Sequence, residues 1–460
     1  MNSVENGIGT GAKPAGDDRE KAARDWWPVA AEWSDEDLAR HLPARVARPA
    51  TIRDAKAALA EAASAGMSVV ARGAGSGVVG GAIGVGGHLC LDLSALDSVK
   101  IDPARSTVTA GAGVMAGALE ARLNEEGFTL GHYPQSLHLA SVGGLVATRS
   151  SGTFSNKYGG IERLVEGLRV LLADGSEIDF RAVPRSSTGP WLLPMFIGSE
   201  GSLGIIVEVT LRIFRRAEKR AFGGYAFPDL AAAIRTVEQG YARHVVPAVS
   251  RIYDHVEAQT LYGRMGLTEN RPLLIAGHDG ATAIVDAEKA LFAEIALENG
   301  ADWLGEEIGN AWEAHRYNAD WLIRGNEGPG RMADAIEVAA AWPDLAALND
   351  AVRQAVAVDC AQFMAHLSHF YPTGGAIYFI FTLEEKDSAA AISKYRSVWQ
   401  RVMELTLKHN GSISHHHGVG LARADMLPAE LGSAHELLAL VKKALDPQGL
   451  LNPGKLGLKG

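Results

Sequence analysis

Apolar and polar positions along this chain alternate between a short period and a helical one. The run Met67-Ser68-Val69-Val70-Ala71-Arg72 predicts a short buried strand, Leu89 to Leu93 a second and Thr107 to Ala110 a third. An alanine-rich helix is expected from about Ile52 to Ala65 and another from Ala116 to Gly127. This strand–helix–strand rhythm reads as an α/β (α+β) fold rather than a sandwich. Strands return at Val165 to Leu172, then through the turn Ala173-Asp174-Gly175 at Ser176 to Phe180, and at Ile205 to Phe214. A basic, polar stretch from Arg215 to Arg220 marks a boundary. Beyond it, helices (Asp229 to Gly240; Ala283 to Asn299) alternate with strands (Leu273 to His278; Ala376 to Leu383), and a helix from Ala429 to Leu445 closes the chain. The expected organisation is a lead-in over 1–44, a first domain over 45–218, a second over 219–425, and a segment 426–460 that returns to the first.

The totals narrow the function. At 460 residues the chain holds two or three domains. A net charge of −10 argues against a nucleic-acid surface. Cys90 and Cys360 lie far apart in no paired motif, which suggests buried thiols in a reducing, cytoplasmic compartment. No run is apolar enough for a membrane span, and the first twenty residues lack the apolar core of a signal peptide.

Glycine is abundant, at 52 residues, and it clusters in loops. Arg72-Gly73-Ala74-Gly75-Ser76-Gly77 follows a strand but is neither a dinucleotide fingerprint nor a Walker loop. Its backbone N–H groups could line a nest for a pyrophosphate; a plain tight turn explains it equally well. The second loop runs from Pro134 to Gly144 and on through Thr148-Arg149-Ser150-Ser151-Gly152, and the third is Gly198-Ser199-Glu200-Gly201-Ser202-Leu203-Gly204-Ile205-Ile206. Three loops of small residues beside apolar segments suit one large, mostly neutral ligand, because small residues let backbone approach a flat ring.

Ser414-His415-His416-His417-Gly418-Val419-Gly420 concentrates titratable groups. It is internal, so it is no purification tag. Read as a strand entering a tight turn, it would place His415 and His417 on one face and His416 on the other, which weakens a metal site. Catalytic or substrate-contacting histidines are the favoured reading, with no metal.

The three loops in this order, with Leu445-Asp446-Pro447 and Leu451-Asn452-Pro453-Gly454-Lys455 at the end, resemble the FAD-binding flavoproteins of the vanillyl-alcohol oxidase and para-cresol methylhydroxylase superfamily. Val142 to Gly152, Tyr158 to Glu162 and the triple histidine look most like alkylglycerone-phosphate synthase. The D-2-hydroxy-acid dehydrogenases are related. The resemblance implies a two-domain fold of the para-cresol methylhydroxylase type with an antiparallel-sheet cap domain, and FAD as cofactor. By resemblance Arg72, Gly73, Ala74, Gly75 and Ser76 hold the pyrophosphate. Gln135, Ser136, Ser141, Gly144, Thr148, Arg149, Ser150 and Ser151 line the flavin and its ribityl chain. Glu200, Gly201, Leu203, Gly204 and Ile206 approach the adenine. The first loop has no His or Cys, so the flavin is expected to be non-covalent.

The resemblance also places Tyr378 on the synthases' acid/base tyrosine, although strand alternation of Ala376, Tyr378 and Ile380 equally suits a core aromatic. Protonated histidines would stabilise its phenolate. Arg251 matches an important arginine of that family, against the plainer reading of a salt bridge to Asp254. Arg324 lies within one position of the substrate-phosphate arginine. Glu313, His315 and Arg316 read as a solvated helix face. Where the synthases continue Lys-Leu-Arg after the histidines, this chain has Leu421-Ala422-Arg423.

Two reactions follow from the resemblance. One is oxidation of a small hydroxy-acid or alcohol-type substrate by hydride transfer to the flavin, with a Tyr/His acid–base pair and a separate electron acceptor. The alternative is the synthase's redox-neutral exchange of acyl for alkyl in ether-lipid synthesis. The lost cation favours the first. The expected partners are small molecules, with no nucleic acid, and the resemblance is compatible with a homodimer.

Overall fold

The computed structural model describes residues 18–317 and 326–458. Strands β1 (Arg45–Ala47), β2 (Val69–Arg72) and β3 (Leu89–Asp92) form a parallel sheet in the order β1-β3-β2. The helix Ile52–Ser64 makes the crossover that parallel pairing requires. Thr51 caps it by accepting from the Asp54 N–H, and Ala55, Leu59 and Ala62 form its buried stripe.

Next come β4 (Val99–Asp102), β5 (Thr107–Gly111), β6 (Phe128–Thr129), β7 (Val165–Leu171), β8 (Glu177–Phe180), β9 (Ile205–Arg212) and β10 (Phe214–Arg215). Five of them build an antiparallel sheet, β4-β5-β9-β7-β8, while β6 and β10 pair separately. The sequence pattern joined β9 and β10 into one strand; the chain breaks at Ile213, where pairing switches from the five-stranded sheet to β6.

The remaining strands are β11 (Lys219–Ala226), β12 (Val249–Tyr253), β13 (Leu273–Gly280), β14 (Asp302–Gly305), β15 (Arg331–Ala341), β16 (Gln362–Tyr371) and β17 (Gly374–Glu384). They form a seven-stranded sheet in the order β14-β11-β13-β12-β16-β17-β15, antiparallel throughout. Period-2 alternation sorts its two faces. Ile252, Leu274, Ile377, Phe379 and Phe381 pack with Phe292, Leu348 and Val402 of the covering helices. Val249, Tyr253 and Ile275 join Tyr133, Phe154 and Tyr158 from the N-terminal half of the chain. Tyr378 and Arg251 belong to this second face, where the two halves meet.

The C-terminal segment returns to the first sheet: the Val69 N–H donates to Leu450 O at 2.7 Å and the Asn452 N–H to Val69 O at 2.8 Å. Buried Lys442 fastens it by donating to Ser202 O, Leu451 O and the Asp446 carboxylate. The expected last helix is two, Leu427–Leu431 and Ser433–Leu445, separated by Gly432 at φ 53. Among the described residues no helix is long and apolar enough to cross a membrane.

Candidate active site

A cavity of about 320 Å³ lies where the glycine loops face the seven-stranded sheet. Arg72, Gly73, Ala74, Gly75 and Ser76 line one end; Gln135, Ser136, Ser141, Gly144, Thr148, Ser150 and Ser151 line the middle; Glu200, Gly201, Gly204 and Ile206 complete that wall. The loops touch: a Cβ on Gly73 would fall 2.0 Å from Ser141 Oγ. Gly143 lets the short helix Val142–Ala147 settle on the β-sheet, since a Cβ there would come within 2.6 Å of the Ala112 Cβ. Two residues expected in this wall stand elsewhere. Leu203 is packed in the core of the five-stranded sheet, and Arg149 extends outward near Glu162, 63% of its side chain exposed.

The opposite wall is built on one row of the sheet. Strand register aligns Tyr253, His366, Tyr378 and Glu337 across β12, β16, β17 and β15. Tyr378 stacks on His366, ring centroids 4.4 Å apart. Its phenol lies 2.7 Å from His416 Nε2 and 3.2 Å from His369 Nε2.

His369 reaches the phenol because β16 departs from regular pairing. The register shifts between Ser368 and Tyr371, and His369 sits at φ 54, in the left-handed region. Such a conformation costs about 1–3 kcal/mol and persists where surroundings over-determine it. Here the Ser151 and Ser155 hydroxyls hold His369 Nδ1 at 3.2 and 2.9 Å.

The triple histidine is not a strand. It is an irregular loop after a single bridge between Ser412 and Ala339, so facing by alternation does not apply. Glu337, fully buried, shapes the loop by accepting from the His416 N–H at 3.0 Å, the His417 N–H at 2.6 Å and the Ser414 hydroxyl at 3.1 Å. Arg423, also fully buried, completes this arrangement through an ion pair to Glu337 and a bond to Gly418 O at 2.7 Å. Burial alone would raise the Glu337 carboxyl; Arg423, His417 and the backbone N–H groups outweigh it and hold it below the usual range. His416 and His417 line the cavity. His415 stands behind them, its Nδ1 2.7 Å from His416 Nδ1 and its Nε2 2.7 Å from the Tyr371 phenol.

Burial reverses the expected charge state. Desolvation pushes His369 and His416 well below the ordinary histidine value, lowers His366 and His417, and takes His415 to about 4. The cluster is neutral at pH 7, so it does not stabilise a phenolate by charge. Burial also raises the Tyr378 phenol, and Arg251 opposes that rise. Tyr378 is a neutral phenol between neutral imidazoles.

Arg251 makes no pair with Asp254, which binds Arg353 and caps the helix His255–Arg264. It donates instead to His366 Nε2 at 2.8 Å, and His366 Nδ1 faces Glu257 at 2.8 Å. Its Nε is buried without a hydrogen-bond partner, packed over the Tyr253 ring, while the residue as a whole lines the cavity. Arg324 lies outside the described residues. Arg316 is not solvated: it pairs with Glu313 at 2.8 Å, its side chain 6% exposed, over the Tyr133 ring.

Sequence reasoning passed over His366, His369, Glu337 and Tyr371. The alternating segment Phe363 to Tyr371, with two histidines three residues apart, carried a signal for the first two. Glu337 lies between Ile336 and Val338 in a mostly small and apolar strand, and such a buried acid needs a partner. Among the described residues no three His, Cys, Asp or Glu side chains converge as a metal site.

The model of an FAD binding domain matches residues 43–181, and that of the C-terminal domain of FAD linked oxidases matches residues 216–456. The FAD-linked oxidoreductase YgcU of Escherichia coli (strain K12) is 32% identical over 394 residues, covering 80% of this chain and 78% of the relative. The chain belongs to the FAD-linked oxidase family. Its cofactor is FAD. The small-residue cradle, where added Cβ atoms would collide, fits that group. An alkyldihydroxyacetonephosphate synthase of Dictyostelium discoideum is 27% identical over 423 residues, 84% of this chain and 69% of that protein. The solved structure of p-cresol methylhydroxylase with substrate bound superposes with a TM-score of 0.75 at 16% identity, over 96% of this chain and 92% of that one, which shows a shared fold.

Proposed function

We propose that this flavoprotein is an FAD-dependent oxidoreductase that oxidises a small hydroxy-acid or alcohol-type substrate. FAD, held by the glycine loops, would supply the hydride acceptor. Arg72 to Ser76 would hold the pyrophosphate, Gln135 to Ser151 the flavin and ribityl chain, and Glu200 to Ile206 the adenine side. Tyr378 takes the substrate hydroxyl proton as its own moves to His416 or His369. Arg251, whose guanidinium lines the cavity, holds a substrate carboxylate or hydroxyl, and His366 with Glu257 keeps it aimed.

The observation that carries this reading is the charge lining the cavity. Among its described lining residues are two arginines, Arg72 and Arg251, against Glu200, Glu257 and Asp334. The arginine that follows the histidines, Arg423, is fully buried and committed to Glu337, so it offers nothing to a phosphate. Arg72 and Glu200 stand at the pyrophosphate and adenine ends, so a substrate phosphate would meet Arg251 beside the Glu257 carboxylate, whereas a neutral alcohol or a monoanion anchored on Arg251 needs no second cation.

The second reading, a synthase-like redox-neutral exchange, draws support from Tyr378 beside the triple histidine and from the similarity to alkyldihydroxyacetonephosphate synthase. The two separate in one experiment. The FAD-loaded protein is titrated without oxygen with 2-hydroxy acids and primary alcohols, then with an acyl-glycerone phosphate and a fatty alcohol. Bleaching of the flavin band by the first set supports oxidation. Release of fatty acid with the flavin still oxidised refutes it.

A further inference from the structure

The contact between His415 Nδ1 and His416 Nδ1, at 2.7 Å, admits one proton between two nitrogens. With both rings neutral, one carries its proton on Nδ1 and the other does not. The two tautomers are therefore opposite, and each determines what the far nitrogen does. If His416 is protonated on Nδ1, its Nε2 is bare and accepts from the Tyr378 phenol at 2.7 Å. His415 then carries its proton on Nε2 and donates to the Tyr371 oxygen, also at 2.7 Å. Reversing every donor gives a second arrangement that satisfies the same atoms. Neither needs a buried charge.

The line leads outward. Tyr378 faces the cavity; Tyr371, at the end of β16, is half-buried on the side of Glu162 and Arg149, side chains 28% and 63% exposed, and its hydroxyl also meets the Ser151 hydroxyl. Glu337 fixes the backbone of His416 and His417, and His369 braces Tyr378 from the other side.

We infer that His416, His415 and Tyr371 form a proton relay that carries the substrate's hydroxyl proton equivalent from Tyr378 to solvent, Tyr371 being its outlet. The inference rests on the proposed role of Tyr378. Its steps balance. The substrate O–H bond breaks and its proton joins the Tyr378 oxygen as the phenol's proton passes to His416 Nε2. The His416 Nδ1 proton crosses to His415 Nδ1, the His415 Nε2 proton to the Tyr371 oxygen, and the former Tyr371 proton leaves to water. Every relay group is neutral before and after, and turning the donors back resets the line. A neutral relay suits this site, because a lasting imidazolium would bear the desolvation cost that already depresses these histidines. His415 and Tyr371 thus act through Tyr378 without touching substrate.

The test begins without any substrate. The full-length, FAD-loaded protein is labelled with ¹⁵N-histidine, and imidazole nitrogen shifts are recorded at neutral pH, with His415→Gln and His416→Gln providing assignments. The relay predicts averaged shifts for His415 and His416, since both tautomers are populated and exchange. Tyr371→Phe should collapse both rings to single tautomers, including His416, which Tyr371 does not touch. Fixed tautomers in the wild-type protein would overturn the relay before any variant is made, and so would a change confined to His415. This arm reads the same whether or not Tyr378 acts on a hydroxy acid. With a compound that bleaches the flavin, Tyr371→Phe should slow reduction about 10-fold or more. It should also change the solvent deuterium isotope effect while leaving the substrate dissociation constant within about 2-fold. An unchanged rate and isotope effect would equally overturn it.

Discussion

Replacing Glu337 by Gln tests what organises the histidine loop. Wild-type Glu337 accepts three hydrogen bonds from the loop and pairs with Arg423, both side chains fully buried. Gln keeps the shape and can still accept from the His416 and His417 N–H groups. Its amide nitrogen, however, meets donors where the carboxylate met them. Arg423 is left as a buried cation without its counter-charge, a change that costs about 3–5 kcal/mol. That is a large share of the about 5–15 kcal/mol that holds a typical domain folded. Arg423→Met should cost less, because the stranded carboxylate keeps three donors. Met also forfeits the bonds to Gly418 O and Glu337 O, at about 1 kcal/mol each. The double variant removes both charges and should lie well short of the sum, with a coupling of at least about 2 kcal/mol. Urea unfolding of the FAD-loaded proteins, followed by tryptophan fluorescence at matched slopes, measures the cycle. A Glu337→Gln protein within 1 kcal/mol of wild type, or a double variant equal to the sum of the singles, would refute the reasoning.

Three further outcomes are expected. Tyr378→Phe should load FAD normally yet lower flavin reduction by roughly 10²-fold with little change in binding, and wild-type turnover in that protein would end the proposed role. The flavin should be released by acid or heat precipitation, because residues 72–77 offer no His or Cys; yellow colour kept by the washed pellet would contradict this. His415, depressed to about 4, stays neutral in the folded state while the unfolded chain protonates near 6.5, so it costs stability as pH falls between those values, about 1.4 kcal/mol per unit. His415→Gln should therefore show a shallower loss of stability from pH 6.5 to 4 than wild type, and parallel curves would exclude the depressed value.

The local code determined much of this molecule. Glycines in runs after strands mark where backbone can come close to a flat ligand, and the alanine-rich run from Ile52 marks a helix; both are short-range properties that survive without tertiary context. Alternation in Ala376 to Leu383 was enough to place Tyr378 on a different face from Phe379. Its chemistry was a different matter. Whether Tyr378 is a core aromatic or a phenol at a cavity depended on His369, nine residues earlier but turned inward by an irregular step in β16, and on His416 from a loop shaped by Glu337. The charge of the histidines also depended on tertiary structure, because desolvation exists only once the halves of the chain close over them. For the same reason Arg251 was free to choose His366 over nearby Asp254: sequence proximity proposes a partner, but the register of β12 on β16 decides which one is within reach.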